Sequence, residues 1–286
     1  IFLIDNYSFF QSPSFKIINT KLNNFNIMEI VDTHTHLYLD QFDDDFDETV
    51  RRSIENNISK FVFPSISSKY YNKMIECKRK YPKNIFLMLG LHPVYVDKNY
   101  LQELEFVKNE INQNNFVAIG EIGLDKYWST EFYKQQIKAF EMQIDLAIKK
   151  NLPIIIHCRD AYEDVIDILE KKKNKDLRGI FHCFAGSYED AQRIINLDFS
   201  LGIGGVVTFK NGKIDQFLHK ISLKNIVLET DSPYLAPVPY RGKRNESSYI
   251  IHVIEKLSKI YDIKMDQIIK QTSLNSHKIF NFDFQD

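Results

Sequence analysis

Long hydrophobic runs, a cysteine framework, a charge excess and a glycine-rich phosphate loop are all missing from this 286-residue chain, and each absence removes a class of protein. No stretch approaches the roughly 18 consecutive apolar residues that cross a bilayer, so no membrane partner is expected. Three cysteines, Cys77, Cys158 and Cys183, cannot all pair with one another and none stands in a C-x-x-C, which points to a reducing compartment. Cys158 and Cys183 each follow a histidine; on strands they would face away from it and pack as small hydrophobes. The formal net charge is −1, so a polyanionic partner has no global electrostatic pull and positive potential must be local. Lysines 171, 172, 173 and 175 read as a solvated helix end rather than a nucleic-acid patch. No linker rich in Gly or Pro divides the chain.

Residues 1–26 differ from the rest: they are rich in Asn, Ser and Phe and carry a single acid, Asp5. They are expected to form an appended arm, partly disordered or a targeting remnant, ahead of one domain spanning 27–286. The cytoplasm is the expected location, with this extension leaving an organellar or exported address open.

What the chain does have is Asp32-Thr33-His34-Thr35-His36 directly after an apolar run. Side chains two apart on a strand share a face, so His34 and His36 point the same way where the strand opens into a loop. Two metal ligands need that placement, although an H-x-H alone is equally a pair of polar strand-end histidines. From there on, short apolar runs alternate with longer amphipathic stretches. Strands are expected at 27–32, 60–64, 85–90, 116–120, 153–157, 179–182, 199–203 and 225–229, rich in Ile, Val, Leu and Phe like parallel strands buried on both faces. Helices are expected at 43–57, 69–81, 99–113, 129–150, 161–172, 188–196, 247–261 and 264–273, with a short one near 213–220. Ser129-Thr130-Glu131 supplies capping residues for the fourth. Eight βα repeats over about 260 residues match a TIM (β/α)8 barrel. An open doubly wound sheet would carry a Gly-rich loop where the H-x-H stands.

In such a barrel, catalytic groups project from the C-terminal ends of several strands. Five of eight histidines fall there: His34, His36, His92, His157 and His182. Glu121 and Asp231 lie at equivalent depth, whereas His219, His252 and His277 fall in helical stretches and read as surface or packing residues. Four imidazoles with two carboxylates exceed what one tetrahedral ion needs but divide well between two ions with a bridging carboxylate. Imidazole favours zinc, iron or copper and carboxylate favours manganese or magnesium, so the metal stays open.

From about residue 30 to residue 280 the chain resembles the TatD-like metal-dependent deoxyribonucleases of the amidohydrolase superfamily. The resemblance rests on Asp32-Thr33-His34-Thr35-His36-Leu37, Gly90-Leu91-His92-Pro93, Gly120-Glu121-Ile122-Gly123-Leu124-Asp125, His157-Cys158-Arg159, His182-Cys183-Phe184-Ala185-Gly186, Glu229-Thr230-Asp231-Ser232-Pro233 and Arg241-Gly242-Lys243-Arg244-Asn245-Glu246. Ser247 stands where the family usually has Pro, which is expected to leave a metal site intact. The resemblance implies one divalent ion (Zn, Mg or Mn) on His34, His36 and Asp231, a second on His157 and His182, and Glu121 bridging. Asp231 is the candidate to deprotonate the attacking water, or a ligand only. His92 would face the scissile phosphate or brace its loop. Arg159 and Arg244 are candidate phosphate clamps, Arg244 equally a structural partner of Glu246 or of backbone. Tyr127, Trp128, Tyr234 and Tyr240 could stack on bases of single-stranded DNA or simply pack. The expected activity is hydrolysis of DNA phosphodiester bonds by a two-metal-activated hydroxide, with exonucleolytic trimming of an end as one mode, in a monomer. D-aminoacyl-tRNA deacylation, or another ester or amide hydrolysis, is the alternative, and a non-catalytic metal-binding interaction protein is the different class.

Overall fold

A computed structural model describes residues 29–113 and 115–282. The expected arm over 1–26 lies outside the described residues. Eight strands, β1 (Ile30–Asp32), β2 (Ile58–Phe63), β3 (Ile85–Leu89), β4 (Ala118–Asp125), β5 (Ile154–Arg159), β6 (Gly179–Phe181), β7 (Phe199–Ile203) and β8 (Ile226–Leu228), pair in parallel and in sequential order. Helices α1 (Phe46–Glu55) to α6 (Tyr188–Asn196) follow the first six strands in turn: α2 (Tyr71–Lys80), α3 (Tyr100–Glu110), α4 (Tyr133–Lys150) and α5 (Tyr162–Lys171) lie between them. Helices α7 (Ile250–Tyr261) and α8 (Met265–Phe280) follow β8. The expected (β/α)8 barrel is the architecture found.

Its closing seam is made by residues that run past the ends of β1 and β8. The Thr33 amide donates to the Leu228 carbonyl (3.0 Å), Asp231 to His34 (2.9 Å), and His36 to Ser232 (2.8 Å). Buried Asp32 adds a side-chain tie, accepting from both the amide and the hydroxyl of Thr230. Burial pushes its carboxyl up to about 7.

The barrel floor is a layer of inward side chains, among them Val31, Val62, Met88, Ala118, Ile155 and Val227, capped from below by Phe280 and Phe282 at the end of α8. Layered side chains fill a barrel this way, leaving the opposite rim for polar groups. A second, larger core lies between strands and helices and takes the alternate residues, such as Ile119, Ile122, Ile154 and Ile156.

Three local expectations are corrected. Residues 213–220 form 3₁₀ turns (Ile214–Gln216 and Leu218–Lys220) rather than a helix. The segment ahead of them holds Gly204, Gly205 and Gly212; a Cβ on Gly212 would stand 2.4 Å from the Val206 carbonyl, so the chain there folds back on itself instead of winding. Helix α4 begins at Tyr133, after Phe132, with no side-chain cap. Ser129 instead accepts the Glu131 amide in the loop before it. Cys183 lies beyond β6 with φ 47° rather than on a strand; Cys158, within β5, packs partly buried against the larger core as expected.

Candidate metal centre

Strand alternation by itself would turn Glu121 outward. Ala118 faces the barrel interior and Ile119 the helices, so residue 121 should follow Ile119. The β4–β5 register shifts between Gly120 and Ile122: Gly120 pairs with Ile155, but Ile122 already pairs with Ile156. This extra residue is a β-bulge, and a bulge re-aims a side chain. Glu121 therefore enters the barrel while Ile122 rejoins the outer core. The strand continues through Asp125, five residues beyond the expected end. Gly123 keeps it close to β5, since a Cβ there would meet the His157 carbonyl at 2.0 Å.

The two oxygens of Glu121 face two separate sets of groups. Its Oε2 lies 3.2 Å from His34 Nε2 and 3.7 Å from His36 Nε2; those nitrogens are 3.2 Å apart. Asp231 Oδ1 completes this set at 3.3 Å from His36 and 3.8 Å from His34. Asp231 has a left-handed backbone, φ 55°, which turns the chain off β8 toward the two histidines. On the other side, Glu121 Oε1 lies 2.8 Å from His182 Nε2, 3.0 Å from His157 Nδ1 and 3.2 Å from His92 Nε2. The structure thus brings together all seven strand-end residues singled out in the sequence.

Partners behind the rings fix which nitrogen carries the proton. Tyr38 donates its hydroxyl to the Pro64 carbonyl (2.6 Å), so that oxygen accepts from His36 Nδ1 (2.9 Å) and leaves a lone pair on Nε2. Asp125 accepts the amides of Tyr127 and Trp128 on one oxygen and His157 Nε2 on the other (2.8 Å), leaving a lone pair on His157 Nδ1. Both lone pairs point at carboxylate oxygens. In the neutral rings acceptor faces acceptor, which a cation between them relieves. That cation is a second proton on His157, whose pKa burial lowers but Asp125 and Glu121 raise above its ordinary value, or a divalent metal, which suits imidazole with carboxylate. The residues fit. His34, His36, Glu121 and Asp231 could hold one ion, and Glu121, His157 and His182 another.

The field of the site has the matching sign. Burial raises the Glu121 carboxyl, but the imidazoles around it, His182 foremost, outweigh it and hold it well below the usual carboxylate range. Burial likewise raises Asp231, and His36, His182 and His34 bring it below its ordinary value. Burial lowers His182, whereas Glu121 and then Glu229 raise it further, well above the usual imidazole range. Glu229 is fully buried behind this ring: its Oε1 accepts the Cys183 amide and faces His182 Nδ1 across 3.7 Å. Gly202 makes room for it, because a Cβ there would stand 2.1 Å from Glu229 Oε2.

His92 differs from the other four histidines. Its Nδ1 accepts the Val94 amide (3.0 Å) as the cap of the short turn Pro93–Tyr95, so a neutral ring carries its proton on Nε2. Burial pushes its pKa down to about 4, which keeps it neutral. It braces its loop and turns its Nε2–H to Glu121 Oε1 at 3.2 Å. Arg159, exposed at the end of β5, lies over the Tyr127 ring at 3.6 Å and near Trp128 at 5.6 Å; both rings are more than half exposed. Tyr234 is also half exposed, 6.2 Å from His36, whereas Tyr240 stacks on Tyr249.

Arg244 is taken up elsewhere. Its guanidinium forks onto both oxygens of Asp45 (2.7 and 2.6 Å) and onto the Gln41 carbonyl, the backbone partnership expected for it, while Glu246 is held by Arg52 instead. Ser247 is buried, 3.4 Å from the Thr35 hydroxyl inside the H-x-H loop. His252 rests on Tyr240, and buried His277 bonds Glu29 and the Phe282 carbonyl, both away from the centre. Sequence reading missed the orienting roles of Tyr38, Asp125 and Glu229. Only Asp125 and Glu229 had a signal: each is a carboxylate in a strand-end motif.

Among the described residues no helix is long and apolar enough to cross a membrane. Residues 31–281 match the model of a family described as TatD related DNase. An uncharacterized metal-dependent hydrolase of Bacillus subtilis, YabD, is 36% identical over 255 residues, covering 89% of this chain and 100% of its own. The crystal structure of YJJV, a TatD homolog from Escherichia coli K12, superposes with a TM-score of 0.84 at 25% identity, over 89% of this chain and 98% of that one. A TatD family hydrolase from Entamoeba histolytica, at 24% identity and a TM-score of 0.76 over 88% of this chain and 98% of its own, shares the fold. With a barrel, a paired His/carboxylate centre and a family match over most of its length, this chain belongs to the TatD family of metal-dependent hydrolases.

Proposed function

We propose that the protein is a deoxyribonuclease that hydrolyses phosphodiester bonds of single-stranded DNA with two divalent ions held on His34, His36, Glu121, His157, His182 and Asp231. The observation that carries this reading is the pairing of two His/carboxylate sets that share Glu121 with an exposed Arg159–Tyr127–Trp128 stack on the same rim. Two ions about 3.5–4 Å apart suit in-line displacement at phosphorus, lower the pKa of water and neutralise charge on phosphoryl oxygens. The stack suits the bases and phosphates of an unpaired strand.

The chain's own groups supply the rest. Asp231, held ionised and 14% exposed, is the carboxylate placed to take a proton from the attacking water. His92 Nε2–H, fixed by the Val94 amide and 3.2 Å from Glu121 Oε1, is a neutral donor at the edge of the cluster that a phosphate oxygen could share. Arg159 offers a planar fork to a flanking phosphate, and Tyr127 and Trp128 hold the neighbouring base.

End-labelled single-stranded DNA set beside a misaminoacylated tRNA, each with Zn, Mg or Mn, tests the reading. Metal-dependent shortening of the DNA is expected. Loss of the amino acid from the tRNA while the DNA stays whole overturns it in favour of a carboxylic ester hydrolase. Glu121→Ala and Asp231→Ala abolish turnover while circular dichroism stays that of the wild type.

A further inference from the structure

On the same rim as the metal centre lies a cavity of about 780 Å³ that the chemistry described so far does not use. This falls within the roughly 300–1,000 Å³ of small-molecule sites. Its walls are the connections after β6, β7 and β8, two of which also carry His182 and Asp231. Phe209 lies within the β7–β8 connection, and Arg241 spreads its guanidinium over that ring at 3.7 Å. Lys213, also exposed, lines the same cavity, so two cations face a single acid, Glu189.

As at Arg159, an exposed guanidinium is laid on an aromatic face, but here the ring is buried, with Phe209 only 9% exposed, so the outer face of the Arg241 guanidinium is the platform open to a base. An unpaired strand is held by such pairs, with bases on the π-faces and phosphates on the cations. Glycines keep this wall thin and fixed. A Cβ on Gly205 would stand 2.0 Å from the Leu235 carbonyl, which holds the β7–β8 connection against the segment after Asp231.

We infer that the Phe209–Arg241–Lys213 cavity is a nucleotide subsite for single-stranded DNA, so that the strand is gripped on both sides of the bond being cut. The inference rests on the deoxyribonuclease reading. The base stacks on the outer face of the Arg241 guanidinium, which the Phe209 ring backs, and Lys213 with Arg241 neutralises the phosphate next to it. The bond at the centre then has a bound nucleotide to each side.

The test is binding of a fluorescein-labelled oligothymidylate to the full chain, read by anisotropy over a salt series, beside cleavage of the same strand. Arg241→Ala is expected to weaken binding about tenfold and to lower the slope of log affinity against log salt by about 0.7, the share of one single-strand phosphate. Phe209→Leu keeps an apolar side chain of similar size and removes the π-face. It is expected to weaken binding several-fold with the slope unchanged. Lys175→Ala removes one exposed charge from the α5–β6 connection at the opposite end of the barrel and is expected to bind as the wild type does. If Arg241→Ala and Phe209→Leu bind like the wild type while the wild type cuts the strand, the subsite is wrong and the deoxyribonuclease reading stands. Equal weakening by Lys175→Ala also overturns the subsite, because the attraction is then diffuse. If the wild type neither binds nor cuts the strand, both fall.

Discussion

The hydroxyl of Tyr38 decides what His36 can do. It donates to Pro64 and so can only accept from His36 Nδ1, which turns the Nε2 lone pair into the centre. Removing that oxygen frees the imidazole to flip its tautomer. Tyr38→Phe is therefore expected to lower metal affinity about 10–100-fold, measured by calorimetric titration, with little loss of fold because the buried ring still packs on Phe63 and Tyr70. Unchanged affinity would sink the tautomer argument. The positions that gather at the centre were legible, because the strand ends present polar groups in sequence order, although His34 and His36 stand in the loop just past β1 rather than on the strand. Tyr38 was not, since spacing along a strand says nothing of what stands behind a ring. Arg244 illustrates the same limit: its type suits phosphate, but Asp45, 199 residues away, claims it.

Among the elements, the connection from β8 to α7 is fastened by charge at two points. It carries Asp231 and is tied to α1 by Arg52–Glu246 and to the residue before α1 by Arg244–Asp45. Burial raises the Glu246 carboxyl, but Arg52 outweighs it and holds it below its ordinary value of 4.5. A depressed folded-state value means the unfolded chain binds more protons below that point, so this contribution is present above pH 4.5 and fades as the pH falls further. Urea midpoints of wild type and Glu246→Gln should thus converge on acidification below pH 4.5. Arg52 is 44% exposed, so solvent screening keeps the effect small; a gap that widens in acid contradicts the assignment. Element order was readable from alternating runs of Ile and Val with amphipathic stretches. The bulge at Glu121 was not, because it depends on the pairing of β4 with β5 rather than on either strand alone. The 3₁₀ turns of 205–225 escaped for a related reason: close backbone approach at Gly205 and Gly212 overrides a short amphipathic pattern.

For the whole molecule, the centre is a cluster of buried carboxylates and imidazoles, so a bound cation should stabilise the fold as well as the reaction. Adding Zn, Mg or Mn to chelator-treated protein is expected to raise the thermal midpoint with concentration, by the equivalent of roughly 2.7 kcal/mol at 100 times the dissociation constant. Scanning fluorimetry checks this, and Glu121→Ala should flatten the response. A midpoint that ignores metal would separate the centre from stability. The reason lies at the join of β1 and β8. There the residues that complete the cylinder, from Asp32 to His36 and from Leu228 to Ser232, are the same short segments that carry His34, His36 and Asp231. An ion held by those three side chains is a clasp across the first and last staves, so loading the enzyme and fastening the barrel are one event.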